Sequence, residues 1–72
     1  MHLRKEEKTL LFNKYRKSGL SAEEAQWRLL EFVSFLNNLI SNLKAQKKSK
    51  KHINERFKQE FEEMIMKIDG LR

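Results

Sequence analysis

The chain has no cysteine and no proline, and among its 72 residues only Gly19 and Gly70 are glycine. Without cysteine there is neither a disulfide nor a thiolate metal site, and the composition fits a reducing, cytoplasmic compartment. Lys, Glu, Leu and Gln are abundant and β-branched residues sparse, so intrinsic propensity favours helix nearly throughout. No run approaches the roughly 18 apolar residues of a membrane span. The opening MHLRKEEKTLL is charged where a secretory signal would be apolar. The expectation is a soluble intracellular protein with no membrane partner.

Catalytic signatures are also missing. The chain lacks a glycine-rich phosphate loop and shows no nucleophile paired with a base. His2 and His52 stand alone in the sequence. Glu60 and Glu63 share a helix face with Lys67, which suits a surface ion-pair cluster better than acid/base chemistry. Neither an enzyme nor a bound cofactor or metal is expected.

A chain this short buries only about 60% of the surface its unfolded form exposes. A core of this size supplies on the order of 3–5 kcal/mol, so small folds usually add a disulfide, a metal or a partner chain. With the first two set aside, self-association is the leading source of extra stability.

Apolar spacing defines an all-α, three-helix unit: a helical hairpin preceded by an N-terminal helix, completed as a homodimeric bundle. The first helix is expected over about 3–17, with Leu3, Leu10, Leu11 and Tyr15 as its stripe. Gly19 suits a left-handed position after its end, and Leu20 is placed to fold back on Tyr15. Ser21 and Glu24 form a capping-box pattern that opens the second helix, over about 22–45. Its stripe is Ala22, Ala25, Leu29, Phe32, Leu36, Leu39 and Leu43, at coiled-coil spacing. The lysine-rich stretch that follows is either a loop or an exposed continuation of the helix. A third helix, over about 52–69, directs Ile53, Phe57, Phe61, Met64, Ile65, Ile68 and Leu71 to the core.

The segment FVSFLNNLISNL, from Phe32 to Leu43, contains no charge at all. Its back face carries Ser34, Asn37, Asn38 and Ser41, short polar groups that hydrogen-bond across a close contact without the penalty of burying a charge. Trp27, Leu30 and Phe35 extend the same patch, which is therefore the expected dimer or partner interface. The alternatives are an ordinary solvated face and, for Trp27 and Leu30, packing under the first helix.

Charge is segregated along the chain, whose formal net charge is +6. Residues 44–58 hold seven basic residues against one acidic, and residues 1–20 hold six against two. The basic groups Lys44, Lys47, Lys48, Lys50, Lys51, Arg56 and Lys58, joined by Arg4, Lys5 and Lys8 if the first helix runs antiparallel to the second, are expected to meet DNA or RNA phosphates. Lysine is a mobile point charge that positions a nucleic acid without reading its bases. The expected function is thus a small nucleic-acid-associated regulatory or accessory protein. The alternative is a modulator such as an inhibitor, antitoxin or adaptor, gripping a protein partner through the uncharged face.

Overall fold

A computed structural model describes residues 3–70. Three helices pack together, α1 (Lys5–Lys17), α2 (Ala22–Ala45) and α3 (Lys50–Asp69), with no strand among the described residues. The bundle measures 39 × 20 × 18 Å. Its long dimension is close to that of α2, about 36 Å at 1.5 Å per residue.

Local chemistry accounts for the ends of each helix. The Arg4 N–H donates to Glu7 Oε1 at 2.9 Å, which starts α1 two residues later than expected. After α1, Gly19 adopts φ +111°. The Gly19 and Leu20 amides then donate to the Arg16 and Tyr15 carbonyls at 3.1 and 3.3 Å. This is the expected Schellman closure, and Leu20 packs against the core. At the start of α2, Ser21 Oγ accepts the Glu24 N–H at 3.2 Å, so the serine half of the expected box is made.

The lysine-rich stretch is a turn, and α2 and α3 are separate helices. Lys47 takes φ +61°. The Lys47 amide bonds to the Lys44 carbonyl and the Lys48 amide to the Leu43 carbonyl, both at 3.0 Å. A second Schellman closure therefore forms without glycine. Ser49 Oγ accepts the His52 N–H at 3.2 Å and starts α3 at Lys50, two residues before the expected position.

The core contains Leu11 and Tyr15 from α1, Ala25, Leu29, Phe32, Leu36, Ile40 and Leu43 from α2, and Ile53, Phe57 and Ile68 from α3. Leu3, which precedes α1, is buried with them. Three expectations are corrected. Leu10 is exposed, because the inward direction of α1 runs through Leu11 and Tyr15, four residues apart. Ala22 is exposed in the first turn of α2, and Ile40, which the expected stripe left out, is buried. Phe61, Met64 and Ile65 are half-buried against the core, and Leu71 lies outside the described residues.

Candidate nucleic-acid interface and the uncharged helix face

The turn between α2 and α3 collects the strongest positive charge. Lys44, Lys47, Lys48, Lys50 and Lys51 are all exposed, as is Lys58 further along α3. The two ion pairs among the described residues, Lys14–Asp69 and Arg56–Glu60, leave these lysines out. The first turn of α3 contains no acidic residue. Its free amides and the positive end of its dipole add to the lysine charge, and the carbonyl end of α2 at the same turn offsets part of it. A cleft of about 380 Å³ beside the turn brings Lys48, His52 and Arg56 together with Glu55. Arg56 is half-buried, and its guanidinium is held by Glu60 at 3.0 Å.

Arg4, Lys5 and Lys8 are exposed as well. Shared lining by Tyr15, Phe32 and Ile68 sets the end of α1 beside the first half of α2 and the last part of α3. With Tyr15 level with Arg28 to Phe32, the ten residues back to Lys5 span about 15 Å and set the start of α1 level with the last third of α2, roughly 5–10 Å from the lysine turn along the axis. The start of α1 is thus directed towards the lysine-turn end of the bundle, as expected for an α1 antiparallel to α2.

The opposite face of α2 is uncovered. Trp27 is 62% exposed and Leu30 50%, whereas Phe35, 48% exposed, lies at the edge of this face and lines the space where the three helices converge. Trp27 and Leu30 therefore do not pack under α1. Phe35 stacks on Phe32, with ring centroids 6.3 Å apart, so one ring of the pair is buried and the other open. Ser34, Asn37, Asn38 and Ser41 are exposed, and none of their side chains hydrogen-bonds to another described protein group.

A groove of about 730 Å³, not foreseen from the sequence, lies where the end of α1, the first half of α2 and the last part of α3 converge. Tyr15, Leu20, Phe32, Met64 and Ile68 give it an apolar lining, while Arg28, Glu31, Glu60, Glu63 and Lys67 supply charge. Burial pushes the Tyr15 hydroxyl above its usual pKa; Arg28 opposes that shift and Glu31 adds to it. The ion-pair cluster expected around Lys67 is not made: Glu60 turns to Arg56, and Glu63 accepts a hydrogen bond from Gln59 Nε2 at 3.2 Å. No three metal-ligating side chains converge among the described residues. His2 lies outside them. No described helix is long and apolar enough to cross a membrane.

The Ser49 cap and the left-handed Lys47 were also missed. Ser49 had a signal, a serine three positions before the amide it accepts, but no acidic residue completed the box. The groove had none, because it depends on how three helices converge. Comparison of the chain with family models, curated proteins and solved structures gave no match.

Proposed function

We propose that this chain is a small, non-enzymatic, nucleic-acid-associated regulatory or accessory protein that acts as a helical homodimer and contacts phosphates through its lysine turn. The observation that carries the reading is the exposure of Lys44, Lys47, Lys48, Lys50 and Lys51 around one turn, outside the ion pairs of the described residues. Phosphate contacts dominate affinity and are indifferent to sequence. Flexible lysines suit that task.

The test replaces Lys47, Lys48, Lys50 and Lys51 by Gln. All four are exposed, so helicity by circular dichroism is expected to persist while binding of a labelled random duplex or single-stranded RNA is lost. A variant that folds and binds as tightly as the wild type would sink the reading.

A second reading is supported by the exposure of Trp27 and Leu30: the uncharged α2 face grips a different protein, and the lysines serve steering and solubility. A Phe35→Glu or Asn38→Glu change that abolishes activity while nucleic-acid binding survives would favour it.

A further inference from the structure

Trp27, Leu30, Ser34, Asn37, Ser41 and Ala45 repeat at steps of three and four along α2, and all six are exposed. They form a second seam, pointing away from the one that fills the core. Bulk along this seam is uneven. Its beginning carries an indole and an isobutyl group, whereas two serines and an alanine occupy much of the rest. A parallel pair would set large against large and leave a gap between the small residues. Reversing one helix sets each large side chain over a small one.

Charge selects the same arrangement. The first half of α2 has Glu23, Glu24 and Glu31 against Arg28, and the lysine turn follows its far end. Parallel pairing would bring two lysine turns together, whereas reversal brings each one near the acidic start of the other helix and also opposes the two helix dipoles.

We infer that a second copy of this chain packs antiparallel on the exposed face of α2, with Trp27 opposite Ala45, Leu30 opposite Ser41 and Ser34 opposite Asn37 and Asn38. This deepens the proposed homodimer and rests on that part of the reading, not on phosphate binding. With the dyad at the level of Leu36, a rise of 1.5 Å per residue puts the two Lys47 positions roughly 33 Å apart along the axis. One turn of duplex DNA is about 34–36 Å long. The dimer therefore offers two lysine turns to phosphates about one helical turn apart.

The absence of native cysteine makes the register directly testable. Leu30→Cys and Ser41→Cys proteins are oxidised mildly, each alone and as an equal mixture, and wild-type protein is sedimented at about 50 µM. The expected results are a wild-type dimer and a mixed disulfide forming at least tenfold faster than either self-disulfide. Ser34→Cys with Asn38→Cys is the fallback pair if Leu30→Cys loses helicity. A wild-type monomer, or Leu30→Cys linking fastest to itself, would overturn the arrangement. A monomer that still binds duplex overturns the dimer and leaves phosphate binding standing; a cross-linked dimer that binds no nucleic acid does the reverse.

Discussion

Lys14 and Asp69 are 55 positions apart in the chain, yet Lys14 Nζ lies 3.1 Å from Asp69 Oδ1, tying the last turn of α1 to the last residue of α3. The pair closes the end of the bundle remote from the lysine turn. Its side chains are 24% and 45% exposed, so water and salt screen it. Lys14→Ala is expected to lower unfolding stability by about 0.2–1 kcal/mol, and less in high salt. Urea denaturation at two salt concentrations measures both effects.

The two helix ends with positive φ respond in opposite ways to exchange of glycine. Lys47 holds φ +61° with a β-carbon that disfavours it. Lys47→Gly is expected to stabilise the fold by roughly 0.5–1 kcal/mol, by analogy with the difference between glycine and other residues in such conformations. A β-carbon at Gly19 would meet nothing within 4 Å, so its penalty is conformational alone. Gly19→Ala should destabilise by roughly 1–2 kcal/mol. Paired denaturation curves check the signs.

Core truncation separates buried from exposed apolar residues. Leu11 and Leu36 are essentially inaccessible, whereas Met66 is 71% exposed. Leu36→Ala is expected to remove about 2–5 kcal/mol, comparable with all the stability a domain of this size holds. Met66→Ala should shift stability by less than about 0.5 kcal/mol. Thermal melts by circular dichroism read the contrast.

Tyr15 predicts an alkaline limit. Burial raises its folded pKa above the unfolded value, so the folded state retains the phenolic proton longer. The associated stability is complete below an unfolded pKa of about 10 and is lost as pH rises through the folded value. Tyr15→Phe is expected to lose less stability than the wild type between neutral pH and pH above about 10. Parallel denaturation at the two pH values tests this difference.

The legible parts of the fold were those written into consecutive residues. Gly19 followed by Leu20, and Ser21 followed by Glu24, marked the first junction, and its backbone bonds confirm the Schellman closure and the serine cap. Three helices followed from apolar spacing alone. The second junction was illegible because lysine occupies the left-handed position that glycine normally marks. Surface assignment was mixed. The uncharged α2 residues were placed away from the core by their angular position, whereas the sequence left Trp27 and Leu30 open between that face and packing under the first helix, a choice only the packed bundle decides.

The most direct test of the proposed function is a titration of a labelled random DNA duplex with the protein at several salt concentrations. The expected result is an affinity whose logarithm falls linearly with log salt, at about −0.9 per phosphate contacted. The slope should become shallower when Lys47, Lys48, Lys50 and Lys51 are replaced by Gln. No binding of duplex or RNA at low salt, or a slope unchanged by those replacements, would contradict the assignment of phosphate contacts to the α2–α3 turn.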